Sequence, residues 1–388
     1  MFSWGANSGG QLGVGDFIDR YKPVCIQGVT ASILSGGGAQ SVVAFVDKVY
    51  TCGQFGPGNC SPIFHSLDFN FEPILHISSG WDFSVVLTHT GHLVTWGSNT
   101  YGQIGRSETK FSSTPTVVSA PPIRSIAAGL RHVIAVSSHG ELFVWGSNRR
   151  QQLGQTSRGS SGLNSLTEPS PVSIRSPDGS RVVSCSAGAN NSAILTETGL
   201  VALWGDLTYF RRPRENDKNQ HVITSQPLWL SGDDFGGERV VQLASGWDHL
   251  VALTAAGSVY TCGRSDLGQL GRQADSTCST VAQLTVTRSS TSFDPTPRPV
   301  PFNDPDGETV IPVTVTAGSE HTLMLDANGR VWAWGWNEHG MCGTAKSEHL
   351  DKSISVPDCI RQPAIVEFPF PVHVRSIGTG YGHSFAAS

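Results

Sequence analysis

The chain has 388 residues, of which 44 are glycine and 22 proline; only 15% are charged, and the formal net charge is −5. An acidic balance excludes a strong general nucleic-acid binder, which needs a basic surface to neutralise phosphates. No apolar run approaches the length of a membrane-spanning helix, so no membrane insertion is expected.

In chain order, the first element is Met1-Phe2-Ser3-Trp4-Gly5, a short strand closed by Trp-Gly. The same closing recurs at Cys52-Gly53, Trp96-Gly97, Trp145-Gly146, Trp204-Gly205, Cys262-Gly263 and Trp334-Gly335. Most closings run on into a second signature, as in WGANSGGQLG at 4–13 and CGRSDLGQLG at 262–271. Opening glycines stand at Gly37, Gly80, Gly129, Gly188, Gly246, Gly318 and Gly380, most followed by a Gly-x-x-His-like loop. Between opening and closing lies an apolar run broken by a Gly-containing turn, as from Ser84 to Trp96, which predicts a β-hairpin. A lone hairpin cannot bury its apolar face, so the units must stack, and a closed ring of small sheets leaves no long edge exposed. The expected fold is all-β, a seven-bladed β-propeller spanning 1–388 as one domain.

The last opening, from Gly380, stops after one strand, whereas Phe2–Gly5 lacks the strand before it. Together they make one unit, so residues 1–5 and 380–388 are predicted neighbours in a blade closed by both ends of the chain. Spacings between closing glycines grow from 48 and 44 to 59, 58 and 72 residues, which places inserted loops around 155–178, 206–238 and 272–312. The last includes a proline-rich stretch around 286–309. A basic cluster at Arg211, Arg212, Arg214 and Lys218 is mixed with Glu215 and Asp217 and reads as a solvated loop.

Eight scattered cysteines include no Cys-x-x-Cys and no zinc-finger spacing, so no metal site is expected and the thiols read as reduced. Cys52 and Cys262 stand where other units place Trp and are expected to be buried substitutes. A strand begins at once after Met1 with no basic start or cleavage site, giving an expected cytoplasmic, and also nuclear, location. Phosphate-loop, zinc-protease and nucleophile-elbow motifs are missing, so no cofactor and no covalent catalytic residue is expected.

The polar residues of interest sit in the opening loops, which a ring presents on one face. The repeated histidines 132, 249, 321 and 383 read mainly as structural, each bonding backbone within its turn. The position before them varies as Asp82, Arg131, Asp248 and Glu320, the pattern of a partner-selective surface. Trp81 and Trp247 beside it have the composition of an interface hot spot, with packing between blades as the other reading.

These openings, with the Trp-Gly-x-Asn-x-x-Gly-Gln-Leu-Gly closings, resemble the repeats of the regulator of chromosome condensation family, whose founding member is an exchange factor for the GTPase Ran. The resemblance covers the whole chain. SGWDF at 79–83, AGLRH at 128–132 and WGWNEHGMCG at 334–343 look like a secretory branch of that family. It implies regulation of a small GTPase through the propeller face, with Asp248 and then His321 as contact residues, Asp82, Glu320 and Arg131 beside them, and an exocyst subunit as a further partner. A monomer is expected. The other function class is a non-catalytic scaffold on the same face; a light sensor of the plant ultraviolet-B type fits less well, because both tryptophans here are followed by Asp and not Arg.

Overall fold

The computed structural model describes residues 1–56, 58–68, 72–107, 110–155, 164–211, 221–272, 292–344 and 358–388. Seven four-stranded antiparallel sheets form a ring, a seven-bladed propeller. One blade joins Ser376–Thr379 and His383–Ala387 to Phe2–Gly5 and Arg20–Cys25, with Phe2 opposite Ala386 and Gly5 opposite His383. Strands from the two ends of the sequence therefore close one sheet, as the half-repeats required.

The two signatures that punctuate the sequence have separate steric causes. At five of the seven openings the glycine sits under the ring of the residue three positions on, Phe83 at Gly80 and histidine at the other four. A Cβ at Gly129, Gly246, Gly318 or Gly380 would come within 3.0 Å of His132, His249, His321 or His383. The closing glycine needs a backbone that L-residues avoid: φ lies between 92° and 112° at all seven positions, from Gly53 to Gly263. There the third strand shifts register against the fourth, as between Val144 and Gly146, so each closing is a β-bulge.

Blade joins to blade through these same residues. The Trp145, Trp204 and Trp334 indoles donate to the carbonyls of Gln103, Gln152 and Gln269 of the preceding blade at 2.9–3.0 Å. The histidines bond forward, Nε2 to the hydroxyls of Ser192, Thr322, Ser384 and Ser41 in the next blade at 2.9–3.0 Å. This replaces the backbone bond expected within each turn. Ser192 gives its one proton to the Gln152 carbonyl, so it must accept from His132, which fixes the neutral imidazole as the Nε2–H tautomer. Burial pushes His132 down to about 4 and His249, His321 and His383 down to about 3. Apolar clusters fill the seams, as where Phe83, Leu87 and Ile104 meet Ile126, Val133 and Trp145. Cys52 and Cys262 are buried; burial raises both thiols, Cys262 to about 12, and Cys52 Sγ bonds the Gln11 carbonyl at 3.2 Å in place of an indole.

The expected inserted loops are partly strand. Ser165–Val172, Ile223–Leu230 and Phe293–Pro299 are the outer strands of their blades. They escaped a reading based on apolar alternation because an outer edge has one exposed side and tolerates proline. Asp294, in the proline-rich stretch, is buried against Arg272 at 3.0 Å. Within those stretches, residues 156–163, 212–220 and 273–291 lie outside the described residues, as does the basic cluster beyond Arg211.

Candidate protein-docking face

The opening loops gather at one mouth of the central channel because each joins the innermost strand of a blade to the second. Backbone bonds link them into a closed belt. Trp81 N–H donates to Leu130 O (3.2 Å), Leu130 to Gly188 (3.4 Å), Ala189 to Trp247 (3.2 Å), Trp247 to Ser319 (2.8 Å), Ser319 to Tyr381 (3.0 Å), Tyr381 to Gly37 (3.0 Å) and Gly38 back to Trp81 (2.8 Å). Every blade contributes, so a side chain on the belt is fixed by both neighbours. Below it the channel encloses about 310 Å³ lined by serines and threonines interleaved with Ala, Ile, Leu and Val; Ser186 pairs with Ser245 at 2.8 Å and Thr316 with Thr379 at 2.9 Å.

Trp81, Trp247 and Tyr381, from three non-adjacent blades, meet over this mouth. Trp81 stacks on Tyr381 with centroids 5.7 Å apart, Trp247 meets Tyr381 edge-on at 5.8 Å, and the two indoles lie 6.2 Å apart. Gly38 makes room, since a Cβ there would strike the Trp81 indole. The tryptophans pack on each other and on Tyr381 over the mouth rather than between blades, and Trp81 still exposes 41% of its surface.

On Trp247's own blade and the next one, Asp248, Asp266, Gln269 and Glu320 gather around Arg264. Its guanidinium pairs with Glu320 (2.9 Å) and with Asp266 (2.7 Å), and Gln269 donates to the second Glu320 oxygen at 2.7 Å. Burial pushes Glu320 up to about 7 and Asp248 up to about 6; in each case the Arg264 charge pulls back toward ionisation. Burial costs the Arg264 charge, but Asp266 and Glu320 outweigh that and hold Arg264 above its usual range. Both acids therefore titrate near neutrality. His321 is fully buried beneath this sector, bonded to Ser384, and Glu320 is buried at 4% exposure, so the carboxylate offered to a partner here is that of the part-exposed Asp248.

Across the ring the charge reverses. The Arg131 and Arg149 guanidiniums lie 4.9 and 5.2 Å from the centre of the Tyr101 ring, a double cation–π contact. Asp82 lies on the neighbouring loop. Burial raises its carboxyl, opposed by hydrogen bonds from Ser98 and Gln103 and by the Arg131 charge.

Six of the seven site residues named from sequence thus lie in the loops of one mouth, and His321 lies inside. Sequence reasoning missed Tyr381 and Arg264. The signal for Tyr381 was its place in the loop, level with Trp81 and Trp247; for Arg264 it was the position after a closing glycine.

Comparisons with known proteins agree on the repeat. The RCC1-like domain family matches residues 1–386. The mouse secretion-regulating guanine nucleotide exchange factor is 32% identical over all of this chain and 83% of its own length, and the bovine protein of that name is 30% identical over all of the chain and 82% of its own. The ultraviolet-B receptor of Arabidopsis thaliana is 26% identical over the whole chain and 70% of its own. Among solved structures, human WBSCR16 superposes with a TM-score of 0.78 at 20% identity, covering 100% of this chain and 99% of that one. Yeast Prp20p gives 0.78 at 19%, covering 99% and 90%.

Proposed function

Because the chain belongs to the RCC1-like domain family, we propose that it is a guanine nucleotide exchange factor for a small GTPase in secretory traffic, acting through the belt face. The names of the two relatives at 32% and 30% identity support this reading. The observation that carries it is the acidic sector: Asp248 and Glu320 held beside Arg264 at the mouth, with raised pKa values. A GTPase that loses its nucleotide leaves a phosphate-binding lysine without its anion. A preplaced carboxylate pairs with that lysine, stabilises the empty state and so speeds release, with no covalent step. Asp248 is the better donor of this charge, because Glu320 is already engaged by Arg264 and Gln269.

The test is release of fluorescent GDP from a panel of small GTPases including Ran, Rab and Ral proteins. Wild-type protein accelerates one of them and Asp248→Ala, folded by circular dichroism, loses the acceleration. No acceleration across the panel overturns the reading.

A second reading, a scaffold that binds an exocyst subunit without exchange, is favoured by the aromatic hub, since stacked, part-exposed Trp and Tyr suit a protein anchor and serve no charge transfer. Trp81→Ala would then abolish capture of purified exocyst subunits. In either case we place the protein in the cytoplasm and nucleus, as a monomer; fractionation and light scattering check both.

A further inference from the structure

The stretch after the first closing differs from the equivalent one after Gly105. The latter reads Arg-Ser-Glu-Thr-Lys, all polar; the former, after Gly13, reads Val-Gly-Asp-Phe-Ile-Asp-Arg. In the structure, the polar groups of this loop are turned to holding it. The Asn7 amide donates to the carbonyls of Asp16 (2.9 Å) and Ile18 (3.1 Å), and Asp19 accepts from the Asn7 N–H at 2.7 Å. Asp16 accepts from the Ile18 N–H at 2.9 Å and pairs with Arg20, which also bonds the Ile18 carbonyl at 2.7 Å. His339 of the neighbouring blade bonds the second Asp19 oxygen at 2.8 Å, and the Tyr21 hydroxyl reaches the Glu338 carbonyl at 3.0 Å. The loop's large apolar side chains are the ones left most open to solvent: Phe17 is 49% exposed and Ile18 65%, against 38% for the Asp16 side chain and 25% for that of Arg20.

A loop that satisfies its own polar atoms and presents two large apolar side chains is built backwards for solubility and well for docking, since its ordering entropy is already spent. It leaves the blade at the belt end, because the Ala6 N–H bonds the Gly382 carbonyl at 2.8 Å. A continuous path joins it to the acidic sector: Asp19 to His339, His339 against the Trp336 ring at 5.6 Å, and Trp336 N–H to the Glu320 carbonyl at 2.8 Å.

We propose that Phe17 and Ile18 form a rigid apolar anchor that enters an apolar cleft on the same GTPase whose lysine the acidic sector takes. This rests on the exchange-factor reading and assigns a second contact to it. Affinity and chemistry then divide between two places: the anchor holds the partner, and Asp248 acts on the nucleotide site.

The experiment is GDP release from the responsive GTPase of the panel, titrated with wild type, Phe17→Ser/Ile18→Ser and Asp248→Ala. For the double variant the concentration giving half-maximal rate rises about tenfold or more, as expected from withdrawing two part-exposed apolar side chains, while the maximal rate holds. Asp16→Ala, which keeps both apolar side chains and frees the loop, gives a smaller rise. An unchanged half-maximal concentration in the double variant, with Asp248→Ala impaired, overturns the anchor and leaves the exchange reading standing. Lack of acceleration by wild type on every GTPase overturns both.

Discussion

Lowering the pH from 7.5 to 5 is expected to destabilise the ring by about 4 kcal/mol, a loss set by two opposed groups of buried residues. His132, His249, His321 and His383 are wholly buried, with folded values near 4 and 3 against 6.5 in the unfolded chain. Their folded values are depressed, so the unfolded chain binds more protons between the two; their stabilisation is complete above 6.5 and is lost as pH falls toward 4. Each costs about 2 kcal/mol over this range, or about 8 for the four. Asp248 and Glu320 have raised folded values, about 6 and 7, so the folded state gains protons there and recovers about 4 kcal/mol as pH falls. In the acid part of the window, unfolding takes up four protons and releases two, a slope of about 2.7 kcal/mol per pH unit. Urea titrations followed by tryptophan fluorescence at stepped pH measure it. Asp248→Asn/Glu320→Gln removes the compensating pair and steepens the acid loss about twofold. A stability flat from 7.5 to 5, or a double variant with the wild-type slope, refutes the assignment of these six groups.

Exchange activity, once detected, rises from pH 6 to 8 as Asp248 and Glu320 ionise, and Asp248→Asn flattens that profile at a low rate. Gly246→Ala forces a methyl into the His249 ring and the neighbouring loop and lowers stability by about 2–4 kcal/mol, read as a fall in urea midpoint at unchanged slope. The Tyr381 hydroxyl is buried with no hydrogen-bond partner among the described residues, so Tyr381→Phe is neutral or stabilising by up to about 1 kcal/mol in the same assay. Deleting 383–388 removes the strand between Ser376–Thr379 and Phe2–Gly5. Because it opens the ring rather than trimming an end, it converts a cooperative melt into early, protease-sensitive unfolding.

The blade count, the closure of one blade by both chain ends and the face on which the variable residues sit were all legible in the order of residues alone. Each follows from a repeat whose spacing is enforced locally: a glycine beneath a histidine ring, and a glycine at positive φ after the tryptophan. Steric rules of that kind act within a few residues, so they leave a readable period. Outer strands such as Phe293–Pro299 left none, because an edge that faces water on one side and tolerates proline carries no apolar alternation. The site's composition was legible, and its geometry was not. Trp81, Trp247 and Tyr381 meet because the ring brings three distant loops to one mouth. Glu320 and Arg264 pair across a blade boundary 56 residues apart in sequence. His321, next in sequence to Glu320, points inward because its ring must reach Ser384 of the next blade. Those outcomes depend on which blades are neighbours and which way a side chain turns in a packed seam, and closure of the ring decides both.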